Sequence, residues 1–243
     1  MDRQEVAVVV GVGPGLGCAL AQRFARAEMH VALAARNAER LDALAAECSG
    51  IHHCGRAYAC DAADRRAVEN LFRQVESDLG TPDVVVYNAG SFVQKGILET
   101  SAEEFQRCWQ VGCLGGFLVG KAAAHAMVKR IDSGGPGGTI LFTGATASLR
   151  GSARFHNLAV PKFGLRALAQ SMARELQPRG IHVAHVVIDG RIRPRGTVER
   201  GTPHGGDDML DPAAIAETYY QLHRQPRSAW SLEVDLRPWV EKF

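Results

Sequence analysis

The chain has 243 residues, of which 46% are apolar and 22% charged, and its formal net charge is +2. That balance fits one folded α/β domain, 1–243, with a substantial core, and excludes a disordered or fibrous chain. With so little net charge, and no long basic run or basic-aromatic interleave, no nucleic-acid partner is expected.

The opening "MDRQEVAVVVGVG" holds an apolar run too short to span a bilayer and no small-residue cleavage site. A cytoplasmic chain without membrane contact is expected. Cys18, Cys48, Cys54, Cys60, Cys108 and Cys113 are irregularly spaced, which points to reduced thiols rather than a disulfide framework. The cluster "IHHCG" at 51–55 is accompanied by neither CxxC nor HExxH, so no metal is expected.

From the N-terminus, short apolar runs alternate with amphipathic stretches. "EVAVVVG" predicts a strand buried on both faces and "LGCALAQRFARAE" the helix after it. "HVALAAR" predicts a strand, "NAERLDALAAEC" a helix, "RAYACD" a strand, "DRRAVENLFRQVESDLG" a helix and "PDVVVYNAG" a fourth strand. In the second half, "SAEEFQRCWQVGCLGGFLVGKAAAHAMVKR" predicts one long helix opened by a serine cap with glutamate three residues on. After the glycine-rich turn 132–138 come the strand "GGTILFTGA", the helix "KFGLRALAQSMARELQPRG" and the strand "IHVAHVVIDG". "DPAAIAETYYQLHRQ" then predicts a helix and "SAWSLEVDLRP" a last strand. This rhythm is that of a doubly wound parallel sheet.

Between the first strand and first helix stands "GVGPGLG", with glycines at 11, 15 and 17. A turn without side chains, feeding a helix N-terminus, lets the backbone approach a pyrophosphate, so dinucleotide binding is expected here. The second strand ends in Ala35 and Arg36, where an acidic residue would otherwise hold a ribose 2′-hydroxyl. A guanidinium there suits a 2′-phosphate, which favours NADP and leaves NAD as the alternative.

The order of "GVGPGLG", "ACD" (59–61), "YNAG" (87–90), "GTILFTG" (138–144), Lys162 and "IDGRI" (188–192) resembles the short-chain dehydrogenase/reductase family over nearly the whole chain. The resemblance implies a Rossmann fold, with Asp61 at the adenine, Asn88 to Gly90 beside the inner ribose, and Gly190 and Ile192 by the nicotinamide. The cofactor-binding residues expected are Gly11, Val12, Pro14, Gly15, Leu16, Gly17, Arg36, Asn37, Asp61, Ala62, Asn88, Ala89, Gly90, Lys162, Gly190 and Ile192.

In the family a tyrosine four residues before the lysine handles the proton, a serine polarises the substrate carbonyl, and an asparagine steadies a water relay. Aligned on Lys162, Leu158 stands at the tyrosine position, Ala145 at the serine position and Gly112 at the asparagine position. "TASLRG" (146–151) anchors the serine alignment, and no tyrosine lies between Tyr87 and Tyr219. Lys162 is thus the catalytic residue retained, with a ribose grip as its implied role.

Three residues are candidate replacement proton donors. His156 is a histidine two residues before Leu158, a residue type able to supply a proton, Asp189 replaces the family's proline, and Tyr87 replaces an asparagine; a surface histidine, a turn-capping aspartate and a packed phenol are the respective alternatives. Arg193, Arg195 and Arg200 lie in a short lid-like segment where they would meet an anionic substrate, or simply solvent.

The expected function is an NAD(P)-dependent oxidoreductase of non-classical site, acting on an apolar or acidic small molecule. Its reaction would be reduction of an activated double bond, as in the tyrosine-lacking dienoyl-CoA reductases that the chain resembles, or of a carbonyl. The alternatives are an NADP(H)-binding sensor or scaffold without turnover, and a lyase or isomerase. The small apolar faces "AAAHAM" and "LRALAQSMA", which pair subunits in this family, imply a homodimer or homotetramer.

Overall fold

A computed structural model describes residues 3–52, 55–196 and 208–241. The first half contains β1 (Val6–Val10), α1 (Leu16–Arg26), β2 (His30–Ala35), α2 (Ala38–His52), β3 (Gly55–Ala59), α3 (Arg65–Asp78) and β4 (Val84–Tyr87). The second contains α4 (Ala102–Trp109), α5 (Gly115–Asp132), β5 (Thr139–Thr143), α6 (His156–Leu176), β6 (His182–Ile188), α7 (Pro212–Arg224) and β7 (Glu233–Leu236).

The strands form a seven-stranded sheet in the order β3-β2-β1-β4-β5-β6-β7. Every pairing is parallel. Parallel strands need crossover helices, which cover both faces, and every residue of β1, β4, β5 and β6 is buried accordingly. One apolar layer gathers Leu20, Phe24, Leu41, Tyr219 and Leu222 from α1, α2 and α7. The other gathers Leu71, Phe72, Val119, Met127, Leu165 and Ala169 from α3, α5 and α6. The strand order reverses between β1 and β4, which opens a crevice at their C-terminal ends.

Helix starts follow the cap chemistry of the sequence. Asp64 accepts from the Arg66 and Ala67 amides, Ser101 and Glu104 form the predicted capping box, and Asp211 accepts from the Ala213 amide ahead of α7. Ala102 to Asp132 has the length and a mean hydropathy of 1.4 for a membrane span. Its buried residues Val119, Ala123 and Met127 pack against the sheet as part of the core.

The predicted helices differ from the structure in two places. The long helix is divided by a π-helical turn, Gln110–Leu114, between α4 and α5. The buried Tyr87 hydroxyl donates to the Val111 carbonyl in that turn. A π turn widens the helix by one residue, and such turns cluster at functional sites. Helix α6 begins at His156 rather than near Lys162, and so contains Pro161. A proline inside a helix removes one main-chain bond, here the one to the Asn157 carbonyl. The Asn157 amide, itself buried, ties the first turn down by donating to the Val93 carbonyl at 2.9 Å.

Candidate functional site

The nucleotide end is built from main chain. Gly11 has φ +95°, and a Cβ there would lie 2.7 Å from the Asn88 carbonyl carbon, so no other residue fits without moving the turn. The Gly11 and Val12 amides donate to the Ala34 carbonyl at 2.8 and 3.2 Å, and the Asn88 side-chain amide donates to the Gly11 carbonyl at 2.9 Å. This locks the turn to β2 and β4. Beyond it, Gly13 and Gly15 face open space. Gly15 caps α1 without any side-chain acceptor, and the Cys18 amide is taken by the Gly13 carbonyl at 3.0 Å, which leaves the Leu16 and Gly17 amides of the first turn uncapped. Free amides and the positive end of the helix dipole make an anion cradle.

Two hollows meet beside the cradle. One, of about 520 Å³, is lined by Val12, Gly13, Pro14, Arg36 and Asn37 among others. The second, of about 270 Å³, is lined by Gly11, Asp61, Ala62, Asn88, Ala89 and Gly90 among others. They share Val12, Gly13, Ala35 and Arg36 and form one cleft. Gly15, Leu16 and Gly17 line neither hollow; they form the turn and first residues of α1. Lys162, Gly190 and Ile192 stand at the far end, on α6 and after β6. A separate hollow of about 380 Å³ between α3 and α5 lies off this cleft.

The far end is built from side chains that bond to one another. The Lys162 ammonium is buried and donates to the Thr143 carbonyl at 2.6 Å; burial pulls its pKa down to about 8. Ala145 opens the turn after β5, and Leu158 is half-buried in the first turn of α6. The Thr146 hydroxyl donates to Asp189 Oδ1 at 2.5 Å, and Arg237 lies 3.3 Å from Asp189 Oδ2. Thr146, Asp189 and Arg237, with Leu149 and Arg150, enclose a cavity of about 110 Å³. Gly112, in the π turn, abuts Pro161; a Cβ at 112 would lie 2.7 Å from the proline Cβ.

Of the candidate proton donors, His156 pairs through Nε2 with the Thr100 hydroxyl at 2.9 Å and stacks on Phe105. Tyr87 is committed to the Val111 carbonyl, and burial pushes its pKa well above the usual phenol value. Asp189 is held by Thr146 and Arg237. Arg195 pairs with Glu47 at 2.7 Å and lies 3.8 Å from the Cys18 sulfur, on the side of α1 and α2. The Arg193 amide donates to the Leu210 carbonyl. Arg200, and His53 and Cys54 of the 51–55 cluster, lie outside the described residues. The described cysteines are free thiols.

A polar chain behind this end went unread in the sequence: Ser148, His185, Glu233 and Arg166 join in hydrogen bonds from the turn after β5 to the surface. The available signal was His185 itself, since a polar residue inside a strand buried on both faces requires a partner.

Comparison with known proteins agrees with this layout. The family model of the short chain dehydrogenases matches residues 5–192. A short-chain dehydrogenase/reductase of Armillaria gallica is 36% identical over 186 residues, 75% of this chain and 69% of its own length. The crystal structure of a short-chain dehydrogenase from Rhodopseudomonas palustris superposes with a TM-score of 0.81 at 37% identity, covering 98% of this chain and 100% of that one. An alcohol dehydrogenase from Thermococcus sibiricus, solved with 5-hydroxy-NADP, gives a TM-score of 0.84 at 27% identity and covers 99% of both chains. The chain belongs to the short-chain dehydrogenase family of oxidoreductases.

Proposed function

We propose that this protein is an NADP(H)-dependent oxidoreductase whose site lacks the family's serine and tyrosine. The observation that carries the reading is the glycine cradle at the start of α1, with Arg36 at the rim of the adjoining hollow. The residues suit the dinucleotide: the open space at Gly13 and Gly15 leaves room for a pyrophosphate at the amides, and Arg36 and Asn37 edge the hollow where a 2′-phosphate would sit. The relative from Thermococcus sibiricus was solved with an NADP derivative, which supports the same choice.

In this reading Gly11, Val12, Pro14, Gly15, Leu16 and Gly17 hold the phosphates. Asp61 and Ala62 border the adenine, Asn88, Ala89 and Gly90 border the inner ribose, and Gly190 and Ile192 flank the nicotinamide. When bound, the cofactor supplies the hydride exchange. Lys162 grips the ribose as an ammonium that burial makes readier to give up its proton. Leu158 and Ala145 present an apolar floor and offer neither acid nor oxyanion donor, so the substrate is an apolar small molecule whose reduction tolerates a proton from water. An activated carbon-carbon double bond meets that requirement, since the enolate formed is basic enough to take one. An acidic group on the substrate would find Arg150 at the rim of the small cavity.

A second reading, an NADP(H)-binding protein without turnover, is favoured by the internal pairing of Thr146, Asp189 and Arg237. NADPH binding by fluorescence and NADPH consumption with panels of enones and ketones separate the two. Consumption with the enones alone is the expected result; tight binding without consumption selects the sensor, and absence of binding refutes both. The half-exposed Phe117, Val160 and Phe163 on α5 and α6 support a homodimer or homotetramer, which a monomeric mass in solution would rule out.

A further inference from the structure

His185 lies mid-strand in β6 with 1% of its surface exposed. Its Nε2 is 3.4 Å from the Ser148 hydroxyl and its Nδ1 is 2.9 Å from Glu233 Oε2. Glu233 takes both arms of the Arg166 guanidinium at 2.7 Å. At the other end the Ser148 oxygen, fully buried, accepts the Ala145 amide at 3.1 Å. One arrangement of hydrogens satisfies every group. Because an ionised carboxylate can only accept, Nδ1 at 2.9 Å must carry the imidazole proton; Nε2 is then bare and accepts a hydrogen bond from the Ser148 hydroxyl. His185 is thus a neutral imidazole joining a half-exposed ion pair to the turn that holds Ala145 and Thr146.

A second proton, on Nε2, would turn that nitrogen into a donor to the Ser148 oxygen, and the Ser148 hydroxyl proton, sealed from water, would lose its acceptor. The charged groups facing the ring are Glu233 from β7 and Lys162 and Arg166 from α6; Ser148 faces it from the turn. Burial, the largest influence, lowers the His185 pKa from its ordinary value, Glu233 works against that, and Lys162 and Arg166 add to it. Burial likewise opposes the charge on Glu233, but the hydrogen bonds from Arg166 and His185 outweigh it and hold the carboxyl below its usual range.

We propose that His185 is a positioning residue for the substrate-side wall: as a neutral imidazole it fixes, through Ser148, the turn carrying Ala145 and Thr146, and it releases that turn when it gains a proton. The wall follows β5, whose Thr143 carbonyl holds Lys162, so the same release loosens the lysine. The consequence for the cofactor rests on the function proposed above; the consequence for the turn does not. The sign follows from the lowered pKa. An unfolded histidine titrates near 6.5 and the folded one lower, so the stabilisation is complete above that value and is lost as pH falls through it.

The test uses the full chain between about pH 8 and pH 5, reading melting temperature and NADPH affinity by fluorescence. The wild type should lose affinity as pH falls below the imidazole pKa, by at most about tenfold for each pH unit, with a parallel fall in melting temperature. His185→Gln places an uncharged acceptor near the Nε2 position and should flatten this acid limb in both readouts while binding NADPH normally at pH 8. Glu233→Gln, which removes the carboxylate favouring the imidazolium, should move the limb to lower pH. If H185Q does not fold, Ser148→Ala takes its place: without a hydroxyl proton to strand, the limb should weaken. A limb unchanged in these variants, or a wild type flat in both readouts, overturns the proposal. If NADPH binds at no pH, the cofactor reading fails, and the melting-temperature limb alone decides the role of His185.

Discussion

The two ends of the cleft are made of different material. At the nucleotide end the contacts are main-chain: glycines at 11, 13 and 15, and amides at the start of α1 with no side-chain cap. At the far end they are side chains already bonded to protein: Thr146 to Asp189, Lys162 to Thr143, His156 to Thr100 and Tyr87 to Val111. A cradle of amides is preorganised because the helix fixes its donors in place whether or not an anion is bound. A set of paired side chains is stable but must exchange partners before it can hold a ligand. Tight cofactor binding and weak, selective substrate chemistry are therefore the expected combination.

The sharpest way to break this contrast is at Gly11. Gly11→Val meets the Ala89 and Asn88 backbone and occupies a positive φ, so it should abolish NADPH binding and destabilise the fold by more than ~2 kcal/mol. Thermal melting and fluorescence titration check this. Next in size is a gain at the far end. Ala145→Ser combined with Leu158→Tyr should raise carbonyl reduction by NADPH by about 100-fold, the lower range for a placed acid, measured as ketone-dependent NADPH oxidation. Adding Gly112→Asn should give nothing further unless Pro161→Gly first removes the proline Cβ and ring that fill the space.

The sheet was legible from the sequence because buried parallel strands are written as continuous apolar runs, and "VAVVV", "VVVY" and "TILFT" leave little choice. The cradle was legible because a turn that must approach a ligand excludes side chains. The interruption of the long helix at Gln110–Leu114 was not, since a π turn inserts one residue without changing which residues are apolar. Pro161 misled the reading of α6, because the penalty for a helical proline is offset here by the buried Asn157 amide and by contact with Gly112, neither visible locally. The chain from Ser148 to Arg166 draws on α6, β6, β7 and a turn, so no single window of sequence contains it.

Two smaller effects refine the comparison. Arg36→Glu should weaken NADPH binding by roughly 10- to 100-fold, the loss of one charge-assisted contact, while leaving NADH affinity nearly unchanged. Parallel titrations with the two cofactors show the difference. Thr146→Val, which leaves Asp189 with Arg237 alone, should lower stability by about 1.5 kcal/mol and leave NADPH affinity intact, as seen by denaturant unfolding beside fluorescence.

The central claim is that an open main-chain cradle receives the dinucleotide while the side-chain end remains self-paired. A crystal structure of the protein grown with NADP tests it directly. The pyrophosphate should lie against the first amides of α1, with Arg36 on the 2′-phosphate and the Thr146–Asp189 bond preserved. Density for the cofactor elsewhere, or a collapsed Gly11–Gly17 turn with no cofactor bound, would contradict it.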